Sequence, residues 1–169
     1  MRIAIVGAHN VGKTTLAELL SDSLPGYTLT MEPYHELTES GYEFSEMPDA
    51  VDFVMQFEHA LKQIATLEKD VIFDRCPFDI LAYVHAVDPT RDLQNYFREM
   101  QRVIAELDLI VFVPIEDPDL IPWQKSNFPK LRLRVDDILK EWIADFDIEV
   151  IEVSGTTLQR KDQVLRGMS

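Results

Sequence analysis

The residues Gly7-Ala8-His9-Asn10-Val11-Gly12-Lys13-Thr14 fit the pattern G-x-x-x-x-G-K-[ST]. Glycines at these positions let the backbone curl so that successive N–H groups converge on phosphate oxygens. A helix opening at Lys13 adds the positive end of its dipole. Lys13 is then placed to reach the β- and γ-phosphates of a nucleotide, and the Thr14 hydroxyl to ligate Mg²⁺. The expected nucleotide-binding residues are Gly7, His9, Asn10, Val11, Gly12, Lys13, Thr14 and Thr15, with His9 and Asn10 at variable positions of the loop. Further along, Val71-Ile72-Phe73 is an apolar run ending on Asp74. An acid there can join Thr14 in the Mg²⁺ shell or hold a water from the neighbouring strand tip.

These groups need elements to position them. Ile3 to Val6 reads as a buried parallel strand running into Gly7. Thr14 to Leu24 reads as a helix stopped by Pro25-Gly26. Further strands are expected at Tyr27–Met31, Val71–Phe73, Leu109–Val113 and Ile148–Val153. Further helices are expected at Val51–Leu67, Phe78–Val87, Asp92–Leu107, Leu131–Phe146 and Thr156–Gly167, with a short one inside the polar stretch Glu32–Pro48. Pro118, Pro122 and Pro129 mark a loop. Strand–helix alternation means βαβ crossovers, hence a five-stranded parallel sheet with helices on both faces in three α/β/α layers. Ligands of such sheets bind beyond the carboxyl ends of the strands. That places Glu32, Asp74, Ile115 and Ser154 beside the loop at Gly7. Ser154-Gly155 is expected near the nucleotide base by location.

A length of 169 residues fits one domain over 1–169. The chain has 16 Lys and Arg against 30 Asp and Glu, a net charge of −14. That balance argues against binding nucleic acid, which requires a basic face, and against an anionic membrane surface. The single cysteine, Cys76, cannot form an internal disulfide. No apolar run approaches the length of a membrane span, and a reducing cytoplasm is the expected setting.

Asp74-Arg75-Cys76-Pro77-Phe78-Asp79, about 60 residues after the phosphate loop, resembles the Asp/Glu-Arg-Ser motif of P-loop nucleoside and nucleotide kinases. Glu32-Pro33, after the second strand, is similar to the Glu-Pro motif of the deoxynucleoside and thymidylate kinases. The wider pattern also resembles the AAA-like ATPase/kinase domains related to the ribosylnicotinamide kinase module. The resemblance implies a P-loop NTPase fold and Mg²⁺-dependent phosphoryl transfer from ATP. It implies that Glu32 acts as base on an acceptor hydroxyl and that Arg75 contacts phosphate oxygens. Two positions depart from the family. Cys76 stands where a small polar residue is usual, and apolar Met31 stands where nucleotide kinases carry an Arg for the acceptor phosphate.

Between Lys13 and Lys62 there is no Lys or Arg, while the stretch holds ten acids. In the kinase layout this segment is the acceptor side, so its field disfavours an acceptor that is already a phosphate dianion. Tyr34, Phe44, Phe53 and Phe57 are candidates to stack on an acceptor ring, with Gln56 reading its edge; for Phe53 and Phe57 the alternative is core packing. Lys125, Lys130, Arg132 and Arg134 cluster in a lid-like segment near 117–134, where cations could stabilise the transferring phosphoryl group. Arg132 and Arg134 are two apart and cannot share one helix face, so one of them enters the site. Trp123 is either a closing latch or a partner contact. The expected function is a kinase acting on a nucleoside-like or other uncharged small molecule, as monomer or homodimer. The alternatives are a regulatory ATPase or NTP switch, and a nucleotide kinase.

Overall fold

The computed structural model describes residues 1–66, 68–119 and 128–168. Leu67, Pro122, Trp123 and Lys125 lie outside the described residues. The strands are β1 (Arg2–Val6), β2 (Thr28–Thr30), β3 (Val71–Asp74), β4 (Leu109–Phe112) and β5 (Val150–Glu152). They form one sheet in the order β2-β3-β1-β4-β5. Every ladder is parallel. The helices are α1 (Lys13–Ser23), α2 (Pro33–Glu39), α3 (Ala50–Ile64), α4 (Pro77–Val87), α5 (Gln94–Ile104), α6 (Pro129–Ile143) and α7 (Thr157–Gly167). This is the expected three-layer α/β/α arrangement of a P-loop NTPase fold.

β1 is central because it is apolar on both faces: Ile3, Ala4, Ile5 and Val6 are all buried. Right-handed crossovers put α1 on one face and α3, α4 and α6 on the other. Accordingly α1 packs on α7, while α3 and α6 pack on α4. Parallel register sets Ile5 beside Asp74 and Val6 beside Phe112. The strand tips bearing Gly7 and Asp74 therefore end together, at the carboxyl edge of the sheet.

Four elements illustrate how the fold departs from the sequence expectation. Both edge strands, β2 and β5, are shorter than the expected Tyr27–Met31 and Ile148–Val153, because each has a ladder on one side only. α6 starts at Pro129 rather than Leu131, since proline's fixed φ suits the first helical position. In α3 the apolar spacing overstates the core: Val51 is 63% exposed, while polar Gln56 is buried. Within the polar stretch, Glu32 is the N-cap residue of α2 and Pro33 opens its first turn. No helix among the described residues is long and apolar enough to cross a membrane.

β1 leaves the sheet at Gly7, where φ is 155° and a Cβ would lie 2.4 Å from the Val113 carbonyl oxygen. That neighbour is backbone just past the end of β4, the strand paired with β1, and cannot step aside. Gly7→Ala is expected to destabilise the fold by about 2 kcal/mol or more. Urea unfolding monitored by circular dichroism checks it; an unchanged midpoint would refute the close approach.

Candidate active site

The turn after β1 is built by left-handed backbone at Asn10 (φ 56°) and Gly12 (φ 89°). Gly12 accepts the first helical bond from Leu16 N, at 3.1 Å. The N–H groups of Asn10, Val11 and Gly12 find no acceptor among the described residues. They form a concave set of donors continuous with the α1 N-terminus, which suits phosphate oxygens. Lys13 is 4% exposed, and its Nζ donates to the Ala8 carbonyl at 2.5 Å. Burial, helped by the Arg75 charge, lowers the Lys13 pKa to about 7 against the pull of Asp79, Asp74 and Glu32.

Thr14 Oγ1 donates to Asp74 Oδ2 at 2.6 Å. Asp74 Oδ1 is buried with no hydrogen-bond partner. Burial raises the Asp74 pKa, opposed by Thr14 and Lys13. A hydroxyl and a carboxylate are hard oxygen donors, and an orphaned carboxylate oxygen beside them fits Mg²⁺. Among the described residues no group of three or more His, Cys, Asp or Glu could hold a metal. A Mg²⁺ ion here would draw its other ligands from phosphate and water, which is its usual habit.

Glu32 and Arg75 meet across the strand tips, with Arg75 Nε donating to Glu32 Oε2 at 3.1 Å. Arg75 Nη1 also donates to Asp79 Oδ2 at 3.2 Å, and Asp79 Oδ1 accepts the Cys76 N–H at 3.0 Å. The Arg75 guanidinium lies 5.3 Å from the centre of the Tyr83 ring. Burial pushes the Glu32 carboxyl up, but Arg75 and Lys13 outweigh it and leave the pKa below the usual value. Glu32 is thus a carboxylate at neutral pH. Burial pushes the Cys76 thiol up, so it is an inert thiol inside the fold.

Two hollows adjoin here. One, of about 380 Å³, is lined by His9, Asn10, Gly12, Lys13, Thr14, Thr15, Glu32 and Arg75. The other, of about 450 Å³, shares His9, Asn10, Glu32 and Arg75 and extends between Tyr34, Phe53, Gln56 and Tyr83. Tyr34 stacks on Phe44 with ring centres 4.4 Å apart, and Phe53 on Tyr83 at 4.9 Å. Gln56 is 7% exposed, and its amide has no hydrogen-bond partner among the described residues. Phe57 is wholly buried in the core and away from the cavity.

Arg132 is 3% exposed and lies against the phosphate loop. Its Nε donates to the His9 carbonyl at 2.9 Å, and its Nη2 to the Asn10 carbonyl at 3.0 Å and Asp119 Oδ2 at 2.7 Å. Arg134 is exposed and lines a separate groove with Lys130 and Met47. Ser154 is bonded through its N–H and carbonyl to the Gln163 amide, and Gly155 N donates to Glu116 Oε1 at 2.8 Å. Neither lines the two hollows. Sequence reasoning missed Tyr83 and Arg160. Tyr83 falls four residues after Asp79 and eight after Arg75, a helical spacing that could have flagged it. Its hydroxyl accepts the His9 N–H at 2.6 Å. Arg160 is 1% exposed; its Nη1 donates to the Val11 carbonyl at 2.6 Å and its Nη2 to Glu116 Oε2. Nothing local in the sequence signals it.

The sequence model of the AAA domain family matches residues 2–161. No curated protein matches the chain in sequence. Among solved structures, thymidylate kinase from Ehrlichia chaffeensis is similar at 16% identity and TM-score 0.73, covering 100% of this chain and 98% of that one. Deoxyadenosine kinase from M. mycoides with bound dATP is similar at 18% identity and TM-score 0.68, covering 100% of both chains. NadR protein in complex with NR is similar at 16% identity and TM-score 0.69, covering 97% of this chain and 50% of that one. At these identities the likeness is one of fold.

With a pKa of about 7, Lys13 is partly neutral at physiological pH, and bound phosphates would hold it charged. Binding therefore takes up a proton above pH 7, and affinity falls as pH rises through that range. Titration calorimetry of ATP at pH 8, in buffers of different ionisation enthalpy, should show net proton uptake. Release, or no proton exchange, would contradict the burial-lowered pKa of Lys13.

Proposed function

The chain belongs to the AAA domain family, and from that premise we propose that it is a P-loop kinase that transfers the γ-phosphoryl group of ATP to a nucleoside-like or other uncharged small molecule. The observation that carries this reading is the meeting of the two hollows at Glu32 and Arg75. One hollow has the phosphate loop as its floor. The other has stacked aromatics and a buried amide, as a ring with a polar edge requires. A plain ATPase has no use for the second hollow.

In this reading the loop N–H groups and Lys13 bind the phosphates. Thr14 and Asp74 would hold Mg²⁺, which when bound neutralises charge on the phosphate oxygens. Glu32 accepts the proton of the acceptor hydroxyl as its oxygen bonds to the γ-phosphorus and the bond to the ADP oxygen breaks. Its low pKa makes it a weak base. That suffices for phosphoryl transfer, where positioning and charge stabilisation carry most of the catalysis. Arg75, fixed by Asp79, sits where it can steady charge on the transferring group.

The acceptor hollow is lined by Glu32, Glu46, Asp49 and Asp52, with Arg75 the one Lys or Arg among its described lining residues. Arg75 is already paired with Glu32 and Asp79. One unpaired like-charge contact at ~4 Å costs about 4 kcal/mol at an effective dielectric near 20. A phosphorylated acceptor is therefore disfavoured.

Two measurements test the proposal. In a coupled ADP-release assay with Mg-ATP and a nucleoside panel, turnover should depend on the acceptor. A nucleoside should exceed its own 5′-monophosphate by at least ~10-fold in kcat/KM. Turnover that ignores the acceptor would favour the ATPase, and a winning monophosphate would favour a nucleotide kinase. Glu32→Gln should leave ATP binding intact and lower transfer by about 10²–10⁴-fold; an unchanged rate at saturating acceptor removes Glu32 from the mechanism.

A further inference from the structure

In a planar trans peptide the carbonyl of one residue and the N–H of the next point to opposite sides. This rule orders the phosphate loop. The Ala8 carbonyl faces Lys13, and the His9 N–H is turned away to the Tyr83 hydroxyl. From His9 onward the sense reverses. The His9 and Asn10 carbonyls are held by Arg132, at 2.9 and 3.0 Å. The Val11 carbonyl is held by Arg160, at 2.6 Å. The three N–H groups on the far sides of those peptides belong to Asn10, Val11 and Gly12, the donors that find no acceptor among the described residues.

We propose that Arg132 and Arg160 are positioning residues that brace the phosphate loop from outside, holding three carbonyls outward so that the following N–H groups face the nucleotide phosphates. The inference rests on the nucleotide reading of the loop. It adds two groups that act through the backbone without touching the ligand. A cation on a carbonyl also polarises the peptide and strengthens the N–H on its other side as a donor.

Each brace is anchored in turn. Arg132 pairs with Asp119 at 2.7 Å. Arg160 pairs with Glu116, whose other oxygen takes the Gly155 N–H at 2.8 Å. The loop after β5 is thereby tied to the phosphate loop through one buried guanidinium. α6 and α7, on opposite faces of the sheet, each contribute one arginine. The loop is gripped from both sides while its concave face stays open.

The test uses the full chain, ADP as probe, and amide ¹H–¹⁵N spectra. In the wild type, ADP should move the Asn10, Val11 and Gly12 amide protons downfield. Arg160→Met strands the Glu116 charge and can destabilise the fold, so it is paired with Glu116→Gln, which removes that charge. The double variant should bind ADP about 10-fold more weakly, with a smaller downfield shift at Gly12 than at Asn10. Arg160→Lys keeps the cation but cannot span both Val11 and Glu116. It should lose about 3-fold, with the Gly12 shift reduced in proportion. Wild-type affinity and an unchanged Gly12 shift in these variants would overturn the inference alone. Failure of the wild type to bind ADP would overturn the nucleotide reading and the inference with it.

Discussion

A guanidinium taken out of water has to be paired, and much of the site follows from how Arg75 meets that demand. Removing an ion from water without compensation costs several kcal/mol. The Arg75 side chain is only 12% exposed, and its backbone sits in the left-handed region at φ 76°. Glu32 from the end of β2 and Asp79 from α4 supply the charge, and Tyr83 supplies a ring face. Each partner then fixes something else. Asp79 holds the Cys76 N–H at the start of α4, Tyr83 holds the His9 N–H of the phosphate loop, and Phe53 lies flat on Tyr83. One buried cation thus registers β2, α3, α4 and the phosphate loop against one another. Backbone strain at a residue like Arg75 costs about 1–3 kcal/mol, which those contacts offset.

The charges of this acidic chain are sorted by position. Around the acceptor hollow the acids are not idle repulsion: Asp52 accepts from Tyr42 and Ser45, and Asp49 caps α3. These bonds hold the segment 42–52 as a wall. Three cations, Lys13, Arg132 and Arg160, instead hold backbone carbonyls of the phosphate loop. The two hollows share Glu32 and Arg75, but Lys13 lines only the one at the phosphate loop, while Glu46, Asp49 and Asp52 line only the other.

What the sequence made legible was local. The phosphate loop could be read because strand, glycine turn and helix are contiguous. Asp74 and Glu32 could be read because strand ends announce themselves by a change of polarity. Helical geometry already required Arg132 and Arg134 to part company, and the fold turns the first inward and the second out. The rest was hidden by distance along the chain. Tyr83 meets His9 across 74 positions and Arg160 meets Val11 across 149, and no spacing rule reaches that far. At Val51 the apolar pattern misled, since that residue is 63% exposed. Gln56, read as a polar group for a ring edge, does lie in the hollow, beside Asp52 and Phe53 on the same helix.

Arg75, Asp79 and Tyr83 follow one another at four-residue intervals, which has a bearing on how such a chain can change length. Successive residues on an α-helix are rotated by about 100°. A single residue inserted inside α4, between Asp79 and Tyr83, would swing Tyr83 off both the Arg75 guanidinium and the His9 amide. That stretch is closed to insertion, however conservative the residue added. The turn Asp88-Pro89-Thr90 at the far end of α4 touches none of these groups. It can absorb the same added residue without moving the site, so this segment can lengthen at the end of α4 that faces away from the phosphate loop.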